Sequence, residues 1–261
     1  MEVAALLFWP ALAGYAEAAV AYAGDTLRPG RLARYAIWGV RVGWLAQTGL
    51  LVAQAVRTEG FPWATWAGSL NLFVWLVVGI YLIWGCRSPF RLLGLAVMPL
   101  AVVLLLVAWA AGGARARSRA ELGDLFLAFH VGLVLAAFAA FTLAAGLAAL
   151  FLWQERRLKR REPHVLRQRA PSQEALDRLT ARTIVFAVPA LTLGLAVGLG
   201  RLALDGGGFD ALMGVALGVW AAYVAFLILR FEAGWRGRKT AYLALAGLAL
   251  VVVALVPVSH F

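Results

Sequence analysis

Eight apolar stretches of about 20 residues or more dominate this chain, at 3–23, 36–56, 66–85, 90–111, 124–153, 183–203, 209–230 and 240–258. A helix of that length crosses the hydrocarbon of a bilayer while satisfying its backbone donors and acceptors internally. The pattern predicts an all-α integral membrane protein, a bundle of eight transmembrane helices making one membrane domain over residues 1–261. Composition agrees: 63% of residues are hydrophobic and 14% charged, too little polar surface to cover a water-soluble globule. The first stretch lacks a preceding basic segment and is followed by further spans, so it reads as a span and not as a cleaved signal.

Charge placement orients the bundle. The formal net charge is +11, but the cations cluster between spans, where they set topology against an anionic leaflet rather than mark a nucleic-acid partner. Segments 24–35, 86–91, 154–182 and 230–239 carry three, two, nine and four lysines and arginines, against one, three and none in 57–65, 112–121 and 204–209. The richer segments belong to the cytoplasm, which puts both termini on the outer side. Residues 154–182 read as a cytoplasmic linker broken by Pro163 and Pro171. It closes in a short helix with Ser172 as N-cap and Gln173 and Glu174 in the first turn.

Several chemistries lack their parts. Cys86 is the only cysteine, which excludes an intramolecular disulfide and a CxxC pair. Glu17 lies within the first span, while Asp124, Asp205 and Asp210 lie at the outer edge. With no carboxylate pair at mid-membrane, a proton relay or cation-coupled carrier is disfavoured. Glu17 is expected to hydrogen-bond Gln47 or a neighbouring polar group. The motifs Gly194-x-x-x-Gly198 and Gly214-x-x-x-Gly218 predict close helix approach, a packing role.

Two histidines stand out. On the outside-terminus topology the fifth span enters from the outer face near Asp124, placing His130 about 9 Å below that end. His260, the penultimate residue, closes the eighth span on the same side. An imidazole at membrane depth is costly without a role, and haem iron takes two axial imidazoles readily. Zinc requires three or four ligands, and the outer side offers no third histidine or cysteine. Arg115, Arg117 and Arg119 oppose the charge bias and, with Arg57 and Arg201, are candidates to pair with haem propionates; a solvated loop is the other reading. Trp63 and Trp66 are candidates to wall a flat macrocycle or to join the interfacial aromatic belt.

The segment Ala170-Pro-Ser-Gln-Glu-Ala-Leu-Asp-Arg-Leu179, the later Leu229-Arg230, Gly234-Trp-Arg-Gly-Arg-Lys239, the terminal Ser259-His260-Phe261 and the entry Phe129-His130-Val131 together resemble the cytochrome c assembly proteins of the CcsA and HemX type. The resemblance extends from about residue 122 to the end; earlier, only Pro62, Ser69-Leu70 and Trp75 match. It implies that His130 and His260 are the family's two external haem-flanking histidines and that Asp210 stands on the aspartate of its tryptophan-rich loop. Around Asp210, however, the loop's tryptophans are replaced by Gly207 and Phe209, and its Pro-Lys-Glu by Ala211-Leu212-Met213. The family's membrane-embedded histidine corresponds to Ile228, so the shorter HemX-like branch is the nearer match.

The resemblance implies a haem-handling protein of the bacterial cytoplasmic membrane, holding b-type haem between His130 and His260, for cytochrome c maturation or for control of haem synthesis. The implied partners are haem, lipid, and cytochrome c assembly proteins or a haem-biosynthesis enzyme. A haem-attachment component working with a partner and a small-molecule or haem transporter are the alternatives. Only the second of these three readings is an enzyme.

Overall fold

The computed structural model describes residues 3–27, 32–58, 65–84, 91–112, 125–160, 171–205 and 211–255. Eight α-helices account for nearly all of them: α1 Val3–Leu27, α2 Ala33–Thr58, α3 Trp66–Trp84, α4 Arg91–Ala110, α5 Leu125–Lys159, α6 Gln173–Asp205, α7 Ala211–Phe231 and α8 Arg238–Leu255. All eight are long and apolar enough to cross a membrane, so the expected all-α, eight-span architecture holds. The chain divides into two compact units, Met1–Leu125 and Phe126–Phe261.

Two boundaries differ from those expected. Helix α5 continues past residue 153 through Lys159, so the start of the basic segment is helical rather than linker. Its last turns are held by the Lys159–Glu155 ion pair at 2.7 Å and by Arg157 lying 4.2 Å over the Trp153 ring, contacts that favour helix at an i, i+4 spacing. Helix α6 starts at Gln173, ten residues before the expected span. The short capped helix is its first turns, with the Ala175 N–H donating to Ser172 Oγ at 3.1 Å as an N-cap does. No breaker interrupts the run from there into the span, and the hydroxyls of Thr180 and Thr183 are hydrogen-bonded to the carbonyls four residues earlier, so neither is left unsatisfied in an apolar helix.

In the first unit, α1 and α2 meet almost backbone to backbone. A Cβ on Gly14 would sit 2.7 Å from the Gly39 carbonyl oxygen, a separation only glycine permits. Buried polar groups lock the register. Tyr15 donates to Gln47 Oε1 at 2.6 Å, Gln47 Nε2 donates to Asn71 Oδ1 at 2.7 Å, and Asn71 Nδ2 donates to Gln54 Oε1 at 3.3 Å. Glu17, expected to pair with Gln47, is instead exposed on α1. Two residues along a helix turn a side chain by about 200°, so Tyr15 faces α2 and Glu17 faces away. Trp44 and Trp75 stack at 5.1 Å, and their indole N–H groups donate to the Trp75 carbonyl and Thr48 Oγ1.

In the second unit, Tyr223 of α7 stacks on Phe141 of α5, with centroids 3.7 Å apart, and donates to the Ala244 carbonyl of α8 at 3.2 Å. At the opposite end from the α6–α7 connection, Asp177 collects Arg230 in a fork of 3.1 and 2.8 Å, the Gly237 N–H at 3.0 Å and the Thr240 hydroxyl at 3.2 Å. One carboxylate thereby joins the start of α6, the end of α7 and the start of α8. The turn between α7 and α8 requires positive φ at Gly234 and Gly237, 66° and 68°, where a side chain is strained.

Candidate functional site

His130 lies in the second turn of α5 and is half-buried. Its ring nitrogen Nδ1 stands 2.6 Å from the Gly194 carbonyl oxygen of α6. A carbonyl can only accept, so Nδ1 carries the proton, and in the neutral ring the lone pair resides on Nε2. That tautomer suits ligation of a metal through Nε2.

The glycine motif of α6 creates this arrangement. A Cβ on Gly194 would lie 2.9 Å from Val134 Cγ2, and one on Gly198 would lie 2.6 Å from His130 Cε1 and 2.8 Å from Nδ1. Absent both side chains, α5 and α6 come close enough for the imidazole to occupy the space over Gly198 and reach the carbonyl one turn earlier. Residue spacing marks this motif as packing; the structure shows that what it packs is the histidine. Gly218 of the second motif differs, since a Cβ there meets no described atom within 4 Å.

The remaining expected site residues divide by where they fall. Arg57 and Arg201 belong to α2 and α6, with side chains outside the description. Trp66 begins α3 and is 37% exposed, as either a belt or a wall residue must be. His260, Arg115, Arg117, Arg119, Trp63 and Asp210 lie outside the described residues. Ile228, on the position of the family's inner histidine, is 55% exposed on α7. Among the described residues, no group of three histidine, cysteine or acidic side chains is placed to hold a metal ion.

A small pocket in the first unit was not anticipated. It is lined by Gln54 and Asn71 together with Phe8 and Trp109, whose rings stack at 4.0 Å. Its two lining amides, Gln54 and Asn71, are visible in the sequence as polar residues within predominantly apolar spans, but single positions do not reveal that they bond one another.

Fold and site together define a multi-pass helical membrane protein with a histidine near one end of its fifth helix, hydrogen-bonded to a backbone carbonyl of the sixth. The chain belongs to the Cytochrome C assembly protein family, matching it over residues 63–259. The match begins well before residue 122 and so takes in α3 and α4, beyond the stretch legible from motifs. Protein HemX of Brevibacillus brevis is 29% identical over 190 residues, 71% of this chain and 69% of that protein. Cytochrome c biogenesis protein CcsA of Synechococcus elongatus is 27% identical over 266 residues, 82% of this chain and 81% of that protein. A CcsA of Prochlorococcus marinus is 39% identical over 90 residues, only 33% of this chain and 28% of that protein.

Proposed function

We propose that this protein handles haem in the bacterial cytoplasmic membrane, binding, relaying or sensing it in cytochrome c biogenesis or in control of haem synthesis. The observation that carries this reading is the His130 Nδ1–Gly194 carbonyl hydrogen bond. It leaves Nε2 as a free lone-pair donor on a side chain that is only half-buried, which fits axial ligation of iron. Family membership and the similarity to proteins named HemX and CcsA support the same role.

In this reading both termini are on the outer side and His260 supplies the second axial imidazole to a b-type haem. Arg57, Arg115, Arg117, Arg119 and Arg201 provide guanidinium groups for the propionates, Trp63 and Trp66 wall the macrocycle, and Asp210 lies at the rim. Bound haem would supply a redox-active iron; His130 contributes a pre-set lone pair, and the arginines contribute charge. Similarity to CcsA across 82% of the chain favours, as a second reading, a haem-attachment component working with a partner. Haem content decides whether either reading stands. The detergent-purified protein, assayed by pyridine haemochrome, is expected to yield a b-type spectrum approaching one haem per chain; protein that is colourless and takes up no added haem would overturn both.

A further inference from the structure

We propose that Gly194 and Gly198 are positioning residues that set the tautomer and the place of the His130 imidazole. For its functional consequence the inference rests on His130 being an iron ligand, as proposed above. The tautomer itself does not depend on that reading.

The two glycines act differently. Gly194 contributes its carbonyl oxygen, which lies 2.6 Å from Nδ1. In an α-helix that oxygen already accepts one bond from the N–H four residues on, and its second lone pair remains available to the histidine. Access to it depends on the missing side chain, since a Cβ on Gly194 would lie 2.9 Å from Val134 Cγ2 and 3.3 Å from the Val134 backbone nitrogen. A residue with a side chain there would push α5 away and lengthen the bond.

Gly198 supplies the slot. The Cβ of an alanine would stand 2.6 Å from Cε1, 2.8 Å from Nδ1 and 3.4 Å from Nε2, pressing on the ring edge between its two nitrogens. The nearer of the two is the one that donates to Gly194. An added methyl group therefore rotates the ring out of its hydrogen bond or separates the helices. Either outcome frees the imidazole to exchange tautomers and moves Nε2. Partners that orient a metal-bound histidine commonly affect metal affinity by about 10–100-fold.

The test has one measurement that needs no haem and one that does. The chain contains three histidines, so the 15N-histidine-labelled apo-protein in nanodiscs, compared with H130Q, identifies the His130 ring nitrogens in a long-range 1H–15N correlation. The expected pattern is a protonated Nδ1 and an unprotonated Nε2; a protonated Nε2 with an unprotonated Nδ1 would overturn the proposal. In the haem-loaded protein, Gly198→Ala is expected to lose low-spin character and at least about tenfold in haem affinity, while Gly218→Ala, at an open glycine, keeps both. Wild-type haem ligation unchanged in Gly198→Ala would overturn the role of Gly198. If the wild type binds no haem, the function proposed above fails, and the nitrogen spectra of the wild type and Gly198→Ala still decide the positioning.

Discussion

Asp177 accepts both terminal nitrogens of Arg230, at 3.1 and 2.8 Å, although 53 residues separate them in the chain. The side chains are only 14% and 12% exposed, and the same carboxylate also takes the Gly237 N–H and the Thr240 hydroxyl. Substitution of Asp177 leaves an unpaired guanidinium with little access to water and the Gly237 N–H without its acceptor, while the Thr240 hydroxyl keeps the Gly237 carbonyl at 2.9 Å. Asp177→Ala is expected to destabilise the protein by about 3 kcal/mol, read as a lowered Tm in detergent. A Tm equal to that of the wild type would show that the junction is not under this control.

Tyr223 permits a graded test of the second unit's core. Its ring is fully buried and stacked on Phe141, whereas its hydroxyl makes a single 3.2 Å bond to the Ala244 carbonyl. Tyr223→Phe keeps the stack and is expected to cost about 1 kcal/mol. Tyr223→Ala opens a cavity and is expected to cost about 3–5 kcal/mol. Comparable losses in the two variants would contradict the assignment of stability to the ring; denaturant or thermal unfolding of both proteins provides the comparison.

Gln47 is the hub of the first unit's buried amides. Gln47→Leu removes the acceptor of the Tyr15 hydroxyl and the donor to Asn71 at once, leaving two buried polar groups unsatisfied. Hydrogen bonds between membrane helices are worth less than burial suggests, so a loss of about 1–2 kcal/mol is expected. The further substitution Tyr15→Phe removes one orphaned hydroxyl and should recover part of that loss. Additive losses from the two substitutions would mean that the residues do not act as a network.

The spans were legible because a run of about 20 apolar residues has one economical solution in a bilayer. The ends of α5 and α6 were not, because hydropathy marks where hydrocarbon stops, and a helix carrying Glu155–Lys159 or capped by Ser172 continues into water beyond that point. His130 was legible as a rare polar residue in an apolar helix. Its partner was not, since the acceptor is a backbone carbonyl and carries no side-chain signal. The Gly194-x-x-x-Gly198 motif announced a close approach without saying that an imidazole fills it. Gln47 was assigned to the wrong residue of α1 because intramembrane polarity suggested Glu17, whereas helical phase selects Tyr15.

The central claim is that His130 is an iron ligand, and the most direct measurement is the absorption spectrum of purified His130→Gly, oxidised and reduced, with and without added imidazole. The account predicts a Soret band that is weakened or shifted to high-spin character in the variant and returns toward the wild-type band when imidazole occupies the vacated ligand position. A haem spectrum in His130→Gly identical to that of the wild type, and indifferent to imidazole, would contradict it.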